Sequence, residues 1–474
     1  MNEYKIYTGG RFTETDTPLE VTSPYSGKTF AKTFLAGTKE LDEAIEKATG
    51  VKNEMARLPS FEKYRILTTI AGEIKSNRSH LASVLSMESA KPIKHALVEI
   101  DRAAQTFTVA AEESKRMQGE YWPVDWTPGG KGKEGIVKYF PVGIVAGISP
   151  FNFPLNLAVH KIAPAIASGN TIVLKPARST PLSVLELARI IHLTSLPKGA
   201  VSILPMDRES GNQLITDQRF KKLSFTGSPS VGWKMKENSG KKKVTLELGG
   251  NAGVIVTPSA DLEMAVKKCI AGGFAYSGQV CIHIQRIFIH KSSFDSFTKK
   301  FVEGIKKLKG GDPSDPETDI SVLIDEENAI RVESWIKEAT EEGAAVLCGG
   351  KRNGLYIEPT VLTNTKPGMK VCAQEIFGPV VVLEPYENFQ EAVNMVNDSE
   401  FGLQAGVFTN NLDEMNYAFN NIEVGGVMIN DPSTFRMDHT PYGGVKDSGF
   451  GREGIRNAMT EMMEPRLMIK NSGI

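Results

Sequence analysis

Residues 221–250, KKLSFTGSPSVGWKMKENSGKKKVTLELGG, place two short apolar runs, KKLSFTGS (221–228) and KVTLELGG (243–250), on either side of a helix-length segment. The same rhythm begins near residue 136 with GIVAGIS (143–149) and continues through NTIVLKP (170–176) and AVSILP (200–205). Between these runs lie helical stretches such as 181–193, where Leu182, Leu185, Ala188 and Ile191 fall on one face. Fully apolar strands alternating with helices predict a parallel sheet covered on both sides. A dinucleotide is the usual guest of such a sheet, held where strand ends meet helix starts. No GxGxxG follows any of these strands. Instead, SFTGSPSVG offers Gly227, Ser228 and Gly232 before a helical segment, a turn whose backbone N–H groups can bind pyrophosphate.

At 474 residues the chain exceeds the size at which one core stops growing, so at least two domains are expected. Its 41% apolar and 23% charged residues are ordinary for a soluble globular protein. Lys plus Arg number 55 against 56 for Asp plus Glu. That balance gives no general attraction for nucleic acid or an anionic membrane surface, so a small molecule is the expected partner. The opening MNEYKIYTGGRF lacks a basic start followed by an apolar run. No stretch approaches the roughly 18 apolar residues of a membrane span. Cys269, Cys281, Cys348 and Cys372 show neither CxxC spacing nor a His cluster, so no metal site and no disulfide framework are expected. Free thiols fit a cytoplasmic setting.

The first third reads as helical, with stripes through Tyr64, Leu67, Ala71 and Ile74 in 60–85 and through Ile100, Ala103, Ala104, Phe107, Ala110 and Ala111 in 99–118. A looser α/β pattern from about 252 to 430 predicts a second α/β domain. Residues 119–140 read as a protruding hairpin and the tail EPRLMIKNSGI as an added strand. These elements either pair with another subunit or fold back on their own domain.

In FAYSGQVCIHIQR (274–286), Cys281 follows a glycine turn. A thiol there is either packing or a nucleophile with access and a nearby base. Glu247, at the end of an apolar strand beside Gly249 and Gly250, is a buried structural partner or a base with a raised pKa. Asn152, just before Pro154 in SPFNFPLNLAVHK, presents an amide able to donate to an oxyanion. Nucleophile, base and oxyanion donor are the set that acyl chemistry at a thiol requires. His283 lies in HIQRIFIH, which reads as a strand, and is structural on that reading; Cys269, Cys348 and Cys372 read as packing or surface thiols.

FNFP (151–154), LKPA (174–177), FTGS (225–228), LELGGN (246–251), GQVC (278–281), EIFGPV (375–380) and PYGGVKDSGFGREG (441–454) occur in order along nearly the whole chain. On these motifs the chain resembles the aldehyde dehydrogenase superfamily, nearest to its lactaldehyde, non-phosphorylating glyceraldehyde-phosphate and phosphonoacetaldehyde branches. The resemblance implies a Rossmann-like cofactor domain (1–118 and 141–247), an α/β catalytic domain (248–451) and a small β oligomerisation element (119–140 and 455–474), assembled as a homodimer or homotetramer. It implies that Cys281 attacks the aldehyde and that Asn152 holds the oxyanion, with Glu247 activating the hydrolytic water. It further implies that Lys175 binds the adenosine ribose, that Gly227 and Ser228 bind the pyrophosphate, and that Glu375 binds the nicotinamide ribose with Phe377 packing by the ring.

NAD-preferring members commonly carry a glutamate three residues after the lysine, where this chain has Arg178. A carboxylate repels a 2′-phosphate and an arginine pairs with it, so NADP is favoured over NAD. Arg102 and Arg436, with His160 and His439, are the candidates to face the substrate. Two arginines converging on a tunnel would suit an aldehyde with an anionic tail. Two rival functions stay open: acyl transfer to coenzyme A, which retention of Glu247 disfavours, and a binding or structural protein without turnover, which the intact Asn152, Glu247 and Cys281 disfavour.

Overall fold

The apolar runs form the parallel centre of an eight-stranded sheet. In spatial order its five central strands are Lys243–Glu247, Lys222–Thr226, Ile144–Ile148, Thr171–Lys175 and Val201–Ile203. The chain winds outward from Ile144–Ile148 through the next two strands, then crosses back to lay Lys222–Thr226 on the other side. That reversal is a topological switch point, where crossovers part and leave a crevice at the strand ends. Neighbouring residues bury into opposite faces: Val145 and Ile172 join one apolar cluster, Ala146 and Val173 the other. Burial on both sides explains why apolar residues predominate, with Lys222, Ser224 and Thr245 buried among them.

The computed structural model describes residues 2–117 and 119–472; residues 1, 118, 473 and 474, at the margins of the expected ranges, lie outside them. The stripe through 60–85 divides into two helices, Ser60–Ser76 and Arg78–Ser89. Asn77 separates them, its Nδ2 donating to the Glu73 carbonyl at 2.8 Å. Such local side-chain bonding competes with helix propagation. The 99–118 stripe belongs to the longer helix Ile93–Ser114. Helix Pro154–Ala167 is buried along its whole length; it is mostly apolar, and its polar members Asn156, His160 and Lys161 are each paired.

The second α/β unit holds a seven-stranded sheet in the order Ala345–Cys348, Thr360–Thr363, Val380–Tyr386, Ile284–His290, Ala252–Val256, Gln404–Phe408 and Gly426–Ile429, parallel except at its first pair. Strand Ile284–His290 begins after His283 and is buried on both faces. Its polar members are paired: Gln285 donates to the Val371 and Gln374 carbonyls, and Arg286 to carbonyls that include Asn251, Met395 and Val396. His283 Nε2 lies 2.9 Å from the Gly273 carbonyl.

Hairpin strands Glu120–Pro123 and Lys133–Pro141 are antiparallel, and Met463–Asn471 pairs with the second of them over nine residues. The terminal strand therefore extends the hairpin of its own chain. Before reaching it the chain returns to the first unit. Gly449–Phe450, inside the range expected for the second domain, adds an antiparallel edge strand beside Lys243–Glu247. Ile455 and Met459, from the helix Ile455–Glu461, enter the first unit's core. Among the described residues, no helix is long and apolar enough to cross a membrane.

Candidate active site

Cys281 is carried by a turn whose backbone is left-handed at three successive residues: Tyr276 (φ 49°), Ser277 (φ 54°) and Gly278 (φ 70°). Two of these are not glycine, and such strain persists only where the surroundings impose it. Tyr276 Oη donates to the Ser89 carbonyl at 3.0 Å and Ser277 Oγ to the Ser321 carbonyl at 2.7 Å. A Cβ on Gly278 would sit 2.1 Å from the Gly378 carbonyl oxygen. The turn is therefore locked at each of its corners. It leaves Cys281 half-buried, with Sγ 3.4 Å from the Tyr442 hydroxyl.

Asn152 approaches from the first sheet, at the start of helix Pro154–Ala167. Its Nδ2 donates to the Gln279 carbonyl at 3.0 Å, two residues before the thiol. The helix start is held by Glu99, whose Oε1 accepts from the Leu155 and Asn156 N–H groups, each at 3.1 Å. The other oxygen of Glu99 pairs with buried Lys91, whose ammonium lies 3.7 Å from the Phe153 ring and 4.4 Å from the Tyr276 ring. This cation joins the asparagine side of the site to the thiol side.

Glu247 ends strand Lys243–Glu247, and both its carboxyl oxygens are buried without a hydrogen-bond partner. Burial, followed by the charge of Glu453, raises its pKa well above the usual carboxylate range. Burial also pushes the Cys281 thiol up to about 11, against the hydrogen bond from Tyr442. One segment touches both groups: Tyr442 meets the sulfur, and a Cβ on Gly443 would lie 2.9 Å from Glu247 Oε1. The LELGGN glycines thread a narrow passage, since a Cβ on Gly250 would stand 2.3 Å from the Cys281 carbonyl oxygen.

Behind Glu247 lies a buried ion-pair network. Glu453 pairs with Lys161 at 3.1 Å and with Arg436 at 3.3 Å. Asp438 binds Arg102 at 2.7 Å and His160 Nε2 at 2.8 Å. The partners hold the Asp438 and Glu453 carboxyls below their usual range, whereas burial pulls His160 down. The Arg436 guanidinium also sits over the Tyr442 ring, 3.5 Å from its centre. Arg102, His160 and Arg436 thus converge. His439 is exposed and stays outside the network.

The switch point opens into a cavity of about 960 Å³ lined by Ile148, Lys175, Phe225 and the helix that starts after Ser228. Lys175, Arg178, Arg208 and Lys234 supply its charge, with no carboxylate in the lining. Gly227 N–H donates to the Glu247 carbonyl, so the turn at Ser228 and the carboxylate strand are directly joined. Glu375 accepts from Gly250 N–H at 3.0 Å, and burial raises its pKa to about 7. Phe377 has a positive φ of 46° and meets Phe151 edge-on at 5.9 Å between ring centres. A cleft with basic walls and a helix N-terminus fits a dinucleotide with several phosphates. Sequence reasoning missed Arg208 and Lys234, which only the fold brings to Arg178. It also passed over Lys161, Asp438, Tyr442 and Glu453, although PYGGVKDSGFGREG contains two of them.

The chain matches the aldehyde dehydrogenase family over residues 12–468. It is 42% identical to a 3-sulfolactaldehyde dehydrogenase of Priestia aryabhattai, covering 99% of this chain and 98% of the relative. It is 40% identical to a lactaldehyde dehydrogenase of Methanococcus aeolicus, covering 96% and 97%. Among solved structures it superposes on aldehyde dehydrogenase 21 of Physcomitrella patens bound to its product succinate, with TM-score 0.98, 44% identity and coverage of 100% and 99%. It also superposes on the glyceraldehyde-3-phosphate dehydrogenase GapN of Methanocaldococcus jannaschii with NADP, with TM-score 0.91, 40% identity and coverage of 96% and 99%.

Proposed function

The chain belongs to the aldehyde dehydrogenase family, and from that premise we propose how its residues divide the NAD(P)-dependent oxidation of an aldehyde to a carboxylic acid. Cys281 attacks the carbonyl carbon, and the developing oxyanion is held by the Asn152 amide and the Cys281 N–H. The nicotinamide, when bound, accepts the hydride. Glu247 then takes a proton from the water that attacks the Cys281 thioester. The observation that carries this reading is the buried, partnerless carboxylate of Glu247 beside a stretch that also touches the sulfur. Burial and the charge of Glu453 both strengthen it as a base near neutral pH.

Lys175, Gly227, Ser228, Glu375 and Phe377 hold the cofactor in this reading. Arg178, with Arg208 and Lys234 beside it, favours NADP. The substrate is a small aldehyde with an anionic tail directed to Arg436, with Arg102 and His160 behind it; His439 plays a lesser part at the entrance. Support comes from relatives named for a sulfonate and a phosphate substrate and from one bound to a dicarboxylate. Residues 1–118 with 141–247 serve as the cofactor unit, 248–451 as the catalytic unit and 119–140 with 455–474 as the oligomerisation unit, except that Gly449–Phe450 and the helix Ile455–Glu461 pack with the cofactor unit. In the last of these, exposed Leu467, Met468 and Ile469 suit pairing into a homodimer or homotetramer. Four free cysteines suit a cytoplasmic enzyme. A reduced-cofactor assay on a panel of aldehydes with and without a second anionic group, run with both cofactors, tests this reading. Faster turnover of the anionic set with NADP is expected. Equal turnover of neutral analogues would remove the anionic-tail assignment.

A further inference from the structure

We propose that Tyr442 is a catalytic residue whose hydroxyl donates a hydrogen bond to the Cys281 thiolate, made a stronger donor by the Arg436 guanidinium stacked on its ring. The inference deepens the reading of Cys281 as nucleophile and rests on it. A thiolate at this position has little other support. Glu375 and Glu247, when ionised, oppose a charge on the sulfur, and the Arg436 cation favours it. His283, two residues away, directs its Nε2 to the Gly273 carbonyl. The hydrogen bond recorded for the sulfur, among the described residues, is the one to Tyr442 at 3.4 Å.

Arg436 decides the direction of that bond. Its guanidinium lies 3.5 Å from the ring centre, and its charge is held there by Glu453 at 3.3 Å. A cation on the ring face draws electron density from the phenol. The oxygen becomes a poorer acceptor and the O–H a better donor. A thiol would gain little from such a partner, whereas a thiolate gains a charge-assisted hydrogen bond. When the thiolate forms, the thiol proton leaves to solvent or to Glu247, and the phenol keeps its own proton. Tyr442 thus sets how much of Cys281 is ready to attack, and Asn152 takes over once charge moves to the carbonyl oxygen.

The test is alkylation of the intact protein by iodoacetamide, without aldehyde, with the label mapped to each cysteine by mass spectrometry. Tyr442→Phe removes the hydroxyl and keeps the ring. Loss of about tenfold in thiolate fraction is partly offset by the greater nucleophilicity of the remaining thiolate, so labelling of Cys281 should slow roughly three- to fourfold below the midpoint pH. NADP affinity should not change. Placing 3-fluorotyrosine at position 442, which preserves packing and gives a more acidic phenol, should speed labelling. Wild-type rates in both variants would overturn the proposal. So would a normal rate in Tyr442→Phe with a slow one in Arg436→Met, because the cation would then act without the hydroxyl. Full aldehyde oxidation by Cys281→Ser would instead overturn the nucleophile assignment beneath it.

Discussion

Glu247 and Glu453 are both buried within a short reach of Arg436, yet they live in opposite chemical conditions. Glu453 holds Lys161 and Arg436, and its partners keep it ionised far into acid. Glu247 holds nothing, and burial beside the Glu453 charge makes it cling to a proton. A saturated carboxylate is a support. An unsatisfied one, costly to bury without a partner, is where chemistry is expected. In the proposed reading, an ion-pair floor lies behind the reactive groups Cys281, Glu247 and Asn152.

The sharpest way to break this division is to replace one member of each layer. Glu247→Gln should leave acylation intact and slow thioester hydrolysis by on the order of a hundredfold or more, giving a burst of reduced cofactor before a slow steady state. Because the folded pKa of Glu247 is raised, the wild-type hydrolysis rate should climb as pH rises through that pKa, and the Gln variant should lose the climb. Glu453→Gln removes the charge that helps raise Glu247, so the same climb should move to lower pH. An unmoved profile, with the protein still folded, would show that burial alone sets Glu247.

Arg436 touches Tyr442 and so borders the sulfur, whereas Arg102 is committed to Asp438. Arg436→Met should lower kcat/KM for an anionic aldehyde by roughly tenfold to a hundredfold beyond its effect on propanal, the size of a lost charge-assisted hydrogen bond. Arg102→Met should depress both substrates more evenly, through loss of the Asp438 pair. A smaller effect belongs to the cofactor cleft. Arg178→Glu should shift the NADP to NAD preference by about tenfold, since Arg208 and Lys234 remain to hold a 2′-phosphate.

The parallel strands and their helices were legible because burial on both faces enriches each strand in apolar residues. Cys281, Glu247 and Asn152 were legible because each stands beside a glycine or proline turn, Gly278, Gly249 and Pro154. The network of His160, Asp438 and Glu453 was not. Its members are far apart in sequence, and His160 and Asp438 are 278 residues apart; no local period marks such a pair. Strand Ile284–His290 was legible as a strand, but the partners of its polar residues were not, because Gln285 and Arg286 are buried against carbonyls of distant loops. The break at Asn77 was likewise hidden inside a continuous apolar stripe.

In the proposed reading Cys281 carries the acyl group and Glu247 releases it as the acid. The most direct test is to mix the Glu247→Gln protein with NADP and an anionic aldehyde, quench within the first turnover and map the acyl group by mass spectrometry. One acyl adduct is expected, on Cys281, formed in step with the burst of NADPH and decaying slowly. A burst with the acyl group on another residue, or with none bound at all, would contradict it.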